Sequence, residues 1–350
     1  MPKSNDSTAF NPNDTTTFIQ AALEKERKAK ADFTAELKRV AKLHGRARAC
    51  LGHIFRCSHA GQAMDLTELK EVVSEMHHSL QLNTNPLLLA TTLQFPQEHD
   101  ACHSFNTAVL AMRFGLHMGL NRPDLISLGL GAMLHDLGKS RIPPLMLVKP
   151  KKLNDAELAV VRKHAEDGFA TLQSTGQLTN SVLEIVRCHH ERSDGRGYPL
   201  GLQGDSVPEL ARIVALADAY DSLTGGYGYR EPMTPAEALR LLKTEASEEY
   251  GQELIQDFVR CLGAYPIGSL LELNSGAYVM VIGSNPTAKL KPLVMQVRDE
   301  DGKFAKPRPL FDLAGYSAED SATQWGVTDV LDPVGLGIDL PHIVFEEVVY

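Results

Sequence analysis

The stretch His189-His190-Glu191-Arg192-Ser193-Asp194-Gly195-Arg196-Gly197-Tyr198-Pro199 places two adjacent imidazoles beside a glycine-rich turn, downstream of a shorter motif, His135-Asp136-Leu137-Gly138-Lys139. Together they offer four side chains that can bind metal and a lysine three residues beyond the aspartate. That set suits a metal-assisted phosphoester hydrolase, in which ligands hold cations and the cations meet phosphate. A carboxylate has two oxygens and can bridge two cations, so Asp136 is the natural bridge. In the Asp194–Pro199 segment, two glycines permit positive φ and proline stiffens the exit, which predicts a turn.

Helices must bring these groups together. The apolar run from Leu125 to Leu134 predicts a helix that ends at His135-Asp136 and delivers both to one point. Asn154 and Glu157 have the spacing of a capping box, opening a helix that carries His164. Ser206-Val207-Pro208 precedes a helix whose Leu210, Ile213, Val214 and Leu216 set Asp218 near its end. Thr234-Pro235-Ala236-Glu237 repeats the capping signature with proline at the first helical position. In Glu98-His99-Asp100-Ala101-Cys102-His103, His99 lies one turn before His103 on the same face. Cys102 and Cys188 each adjoin a histidine, but neighbours on a helix point about 100° apart, so both read as buried thiols.

Outside this region, residues 1–15 read as a flexible polar tail. Helices are expected from 17 to about 45, on the stripe Ile19, Leu23, Phe33, Leu37, Val40 and Leu43, and again near 46–58 and 64–83. The stripe serves either helix pairing in a homodimer or packing on the next domain. After Gly263 the pattern changes to short β-type runs, Leu270–Leu273, Ala277–Ile282, Leu293–Val297 and Ile343–Phe345, parted by turn residues. The fold class is therefore mainly α with a small β-rich end, divided into residues 1–15, 16–95, 96–263 and 264–350.

With 350 residues, 43% hydrophobic and 23% charged, the chain reads as an ordinary globular protein. Its net charge of −9 argues against a polynucleotide partner but not against a small nucleotide beside metal cations. No apolar run approaches the ~18 residues of a membrane span, and the polar start lacks a signal-peptide core. Five scattered cysteines without a Cys-x-x-Cys pair fit reduced thiols, so a cytoplasmic location is expected.

The ordered set of motifs, with Val148-Lys149-Pro150, Glu157, His164, Gly168, Pro199–Leu202 and Ala217-Asp218-Ala219-Tyr220-Asp221, resembles the HD-GYP family over roughly residues 98–260. The resemblance implies a helical HD-GYP domain hydrolysing cyclic di-GMP to pGpG or GMP. It implies metal ligands at His103, His135, Asp136, His164, His189, His190 and Asp218. His99, where three-metal relatives tend to carry glutamate, is either a further ligand or a residue supporting one. Two or three divalent cations are implied, iron or manganese, consistent with mixed nitrogen and oxygen donors. Asp136 and Lys139 carry the catalysis, Lys139 meeting a nonbridging phosphate oxygen.

Substrate contacts are implied at Lys139, Tyr198, Tyr227 and Arg230, and the Gly-Tyr-Pro loop in some relatives docks diguanylate cyclase domains. One departure stands out: where the family commonly has Arg-Pro-Tyr-Lys/Arg, this chain reads Tyr227-Gly228-Tyr229-Arg230. Tyr227 could stack on guanine, but one cationic contact is missing. A catalytically weak module that binds the nucleotide or a partner protein is therefore the rival reading, with a phosphohydrolase for another cyclic dinucleotide or nucleotide as the third.

Overall fold

The structure is a computed structural model and describes residues 12–93, 95–147, 153–225, 231–285, 287–315 and 325–349. Its helices are α1 (Pro12–His59), α2 (Thr67–Leu82), α3 (Thr84–Ala90), α4 (His99–His117), α5 (Arg122–Leu134), α6 (Pro144–Leu147), α7 (Asp155–Arg162), α8 (His164–Gln173), α9 (Asn180–Cys188), α10 (Glu209–Thr224), α11 (Pro235–Glu245), α12 (Ser247–Tyr250) and α13 (Gln252–Leu262). Strands β1 (Leu270–Leu273), β2 (Tyr278–Gly283), β3 (Leu293–Arg298), β4 (Leu310–Asp312) and β5 (Val327–Leu331) follow, and then α14 (Leu340–Val349).

Three helices start at side-chain caps readable in the sequence. Asn121 accepts from the Asp124 amide to open α5, with Pro123 just inside the first turn. Both capping boxes are formed, Asn154 with Glu157 at α7 and Thr234 with Glu237 at α11. Each satisfies amide groups that the helix itself leaves unpaired. The helix capped by Asn154 was expected to carry His164, but α7 ends at Arg162 and His164 opens the separate helix α8. Helix α5 is buried from Ser127 through Leu134, which fits its lack of a polar face and its place at the centre. Around it α4, α9 and α10 pack against α5, and α10 also packs against α4 and α9.

The N-terminal region differs from the expectation in one respect. The helices expected at 17–45 and 46–58 are a single helix, α1, which begins at Pro12, inside the segment expected as a tail. Gly45 is the only break-prone residue at the expected joint, and one glycine costs a helix only ~1 kcal/mol. From Leu37 onward α1 buries Val40, Leu43, Ala47, Leu51 and Ile54 against α2, α3 and α4.

The β-rich end is a five-stranded antiparallel sheet of order β4-β3-β2-β1-β5, open rather than closed into a barrel. Its side chains alternate between two environments, as the strand period requires. Met280, Ile282, Met295 and Val297 join the main core, whereas Val279, Val281 and Val294 form a second cluster with Leu271, Leu273 and Leu313. Ile343–Phe345, expected as a strand, lies in α14. Asp339 accepts from the His342 amide and caps a helical start that the apolar triplet merely continues. Strands β4 and β5 supply the sheet edges instead.

Candidate metal centre

His103 stands on α4, His135 is the C-terminal cap of α5, and Asp136 opens the 3-10 segment Leu137–Arg141 that carries Lys139. His164 begins α8, His189 caps α9 with His190 after it, and Asp218 lies on α10. All seven side chains converge. Asp136, His164, His189 and His190 form one group in which each offers a ligand atom within 4.8 Å of the others. His103, His135 and Asp136 form a second such group, so the two share Asp136.

The two oxygens of that carboxylate divide between the groups. Oδ1 lies 3.5 Å from His164 Nε2, while Oδ2 lies 3.3 Å from His135 Nε2 and 3.9 Å from His103 Nε2. Asp218 joins through His103, with its Oδ1 2.9 Å from His103 Nε2. Lys139 Nζ sits 2.5 Å from Asp136 Oδ2, on the side chain that both groups share.

Three imidazoles are anchored in one way. Nδ1 of His135, His164 and His189 lies 2.7, 2.8 and 2.8 Å from the carbonyl three residues earlier, of Ala132, Val161 and Val186. A carbonyl only accepts, so Nδ1 carries the proton and Nε2 presents its lone pair inward. These carbonyls lie in the last turns of α5, α7 and α9, where helices leave acceptors to spare, so the histidines stand where those helices stop. His103 is held by Asp221, whose Oδ2 is 2.8 Å from Nδ1. A carboxylate behind a ring nitrogen fixes the ring and raises its basicity toward a cation.

The charge states follow from burial and neighbours. Burial drives the pKa of His189 well below its ordinary value and that of His190 down to about 3, with nearby imidazoles adding to both. Burial also lowers that of His164. Neutral imidazole is the form that binds metal. At His103 burial works against the charge, but the Asp218 and Asp221 carboxylates outweigh it and carry its pKa up to about 10. Burial opposes ionisation of Asp136 as well, yet His135 and Lys139 hold it far below the usual carboxylate range. Lys139 is likewise penalised by burial and held above its ordinary pKa by Asp136.

The donor set fits divalent cations. His164 Nε2 and His189 Nε2 face each other at 3.2 Å, both with Nδ1 hydrogens already on carbonyls. Two lone pairs at that distance repel unless positive charge lies with them.

Other expected residues fall elsewhere. His99 belongs to neither group; its Nδ1 is 3.2 Å from Asp100 and its side chain is 43% exposed. Tyr198 stacks on His190, with ring centres 4.7 Å apart at 28°, and Arg162 lies 5.2 Å from its centre. It thus walls the group holding His190. Tyr227 and Arg230 lie outside the described residues. Cys102 and Cys188 are buried and unbridged, and burial pushes each thiol to about 11.

Two acids carry parts that their motifs did not announce. Asp221 orients His103, and its signal was its place three residues after Asp218 on one helix face. Glu191 is 2% exposed and accepts from the amides of Leu200, Gly201 and Leu202, at 2.5, 3.2 and 2.9 Å, bracing the Gly-Tyr-Pro loop from behind. Gly138 is dictated by contact: a Cβ there would lie 1.9 Å from the His164 carbonyl oxygen. Only glycine lets the Lys139 segment pass so close to α8.

An all-helical core with two histidine groups joined through one aspartate is the architecture of an HD domain, and the HD-domain family model matches residues 75–254. The chain belongs to the HD domain family. A cyclic di-GMP phosphodiesterase of Pseudomonas aeruginosa is 33% identical over 294 residues, 83% of this chain and 70% of that protein. A 3′3′-cGAMP-specific phosphodiesterase of Vibrio cholerae is 36% identical over 162 residues, 46% of this chain and 37% of that protein. Among solved structures, an HDG"Y"P protein of Bdellovibrio bacteriovorus shares the fold, with a TM-score of 0.56 over 72% of this chain and 81% of that one at 20% identity.

Proposed function

We propose that this protein is a metal-dependent phosphodiesterase that hydrolyses cyclic di-GMP to pGpG and on to GMP. The carrying observation is the pair of ligand groups joined through the two oxygens of Asp136, with Lys139 on the same carboxylate. Two divalent cations, iron or manganese, would be held by His103, His135, Asp136 and Asp218 on one side and by Asp136, His164, His189 and His190 on the other. When bound, such a pair polarises a phosphodiester and acidifies water. The names of the Pseudomonas relative and of others in the family support cyclic di-GMP as the substrate.

The chain's own groups would do the rest. Asp136 stays ionised in a buried site because His135 and Lys139 favour its charge. Lys139 keeps its proton and brings a cation to a nonbridging phosphate oxygen. Tyr198 and the loop braced by Glu191 close the His190 side against water. We propose residues 96–263 as the catalytic segment, with the helices before it and the sheet after it as supporting parts.

Purified full-length protein supplied with Mn²⁺ or Fe²⁺ should convert cyclic di-GMP to pGpG, and a chelator should abolish this. Metal-loaded protein that leaves cyclic di-GMP intact would refute the reading. The Vibrio relative favours 3′3′-cGAMP as a second substrate, and faster turnover of that nucleotide would transfer the assignment to it.

A further inference from the structure

A groove of about 520 Å³ separates α1 from the entry to α4, with Ala49, Gly52 and Arg56 on one side and Glu98 and Asp100 on the other. His99 and Asp100, which line it, open the helix that carries His103. Asp100 is three residues, just under one helical turn, ahead of His103 on α4. Lys139 helps to hold the Asp100 carboxyl below its ordinary pKa, after the hydrogen bond from His99. The last turn of α1 lies against the residue after Lys139. Ser58 Oγ is 2.8 Å from Ser140 Oγ, and His59 Nδ1 is 2.7 Å from the Ser140 carbonyl.

Gly45, Ala49, Gly52 and Ala101 line the groove together with Phe55. A Cβ on Gly52 would meet only the Arg56 guanidinium, at 3.4 Å. The walls are charged. Arg48 is fixed by Glu98 at 2.8 Å and by the Phe95 ring at 3.4 Å. Arg56 is exposed and has no ion-pair partner among the described residues. Asp100 leaves 55% of its side chain open. A groove lined by small and aromatic side chains with a guanidinium and a carboxylate suits guanine. Its O6 and N7 accept from arginine in pairs, and its N2 amino group donates to an acid, whereas adenine offers an amino donor where guanine has O6.

We propose that this groove holds the second guanine nucleotide of the cyclic substrate whose scissile phosphate lies at the cluster, with Arg56 reading O6 and N7. The N-terminal helix is then part of the substrate site. This rests on the proposed cyclic di-GMP hydrolysis, and the test separates the two.

Wild type, Arg56→Ala and Gly52→Leu, each full length with Mn²⁺ supplied, are compared on cyclic di-GMP and on bis(p-nitrophenyl) phosphate, a diester too small to span both places. Leucine at position 52 narrows the groove while improving helix propensity, and thermal unfolding checks that the variant folds. Each variant should lower the ratio of kcat/KM for cyclic di-GMP to that for the small diester at least ~tenfold, the size of one good charge-assisted contact. The loss should appear in KM more than in kcat. An unchanged ratio in both variants would overturn the groove's role and leave the hydrolysis standing. Wild type that cleaves the small diester but not cyclic di-GMP would overturn both.

Discussion

His44 on α1 and His189 in the histidine–aspartate cluster are each 1% exposed, and burial depresses the pKa of both. Their surroundings differ in kind. His44 packs 4.3 Å from the Phe105 ring and 5.5 Å from that of Phe95, and its Nε2 has no hydrogen-bond partner among the described residues. His189 has Nδ1 on the Val186 carbonyl and turns Nε2 toward His164. A buried imidazole therefore becomes a candidate ligand when one nitrogen is anchored and the other converges with further donors. Burial alone makes it packing.

Removing the shared carboxylate should separate the two regions most sharply. Asp136→Ala should lose both cations and at least ~10³ in turnover, since the cation pair supplies several kcal/mol. Metal content by mass spectrometry and a turnover assay check this; retained metal at wild-type stoichiometry would break the comparison. Lys139→Ala should keep the metal and lose ~10²–10³ in kcat, as removal of a charged transition-state donor does. Parallel loss of metal would make Lys139 a structural partner of Asp136 only.

Asp221→Asn should weaken metal affinity by ~10–100-fold while the fold holds, because it removes the charge behind His103. A chelator titration measures that, and unchanged affinity would remove Asp221 from the site. The smallest effect belongs to His44. Its folded pKa of about 3 lies below the ordinary 6.5, so the unfolded chain binds more protons between those values. Wild-type stability should then fall as pH drops below 6.5, by up to about 1.4 kcal/mol per unit. His44→Leu removes this contribution. Urea midpoints of both proteins at pH 7.5 and 5.5 test it, and a difference between them that is independent of pH would contradict it.

The seven candidate ligands were legible through the order of motifs that resembles the HD-GYP family, and the structure brings their side chains together. The apolar runs before Asp136 and Asp218 announced their helices, whereas the cap read for His164 opens α7 and His164 itself begins α8. What stayed hidden was the pairing across distance. Asp221 meets His103 over 118 residues, and nothing local says that its oxygen points at Nδ1. Ile343–Phe345 misled for a different reason, since three apolar residues fit a strand or a buried helix equally and Asp339 decided between them. The meeting of Ser58 and His59 with Ser140 likewise depends on how α1 lies across the later chain.

The main hydrophobic core runs without a break from Leu37 on α1, through Phe105, Met133 and Ile213, to Met280 on the sheet and Val344 on α14. The stretch bearing all the candidate ligands is thus no detachable cartridge. Excised at residues 96 and 263, it would present to water the faces of α4 and α5 that α1, α2 and α3 now cover. In kinship terms the chain has an HD-family segment, residues 75–254, with flanking parts, but as a folding object its described residues share one continuous core across those bounds.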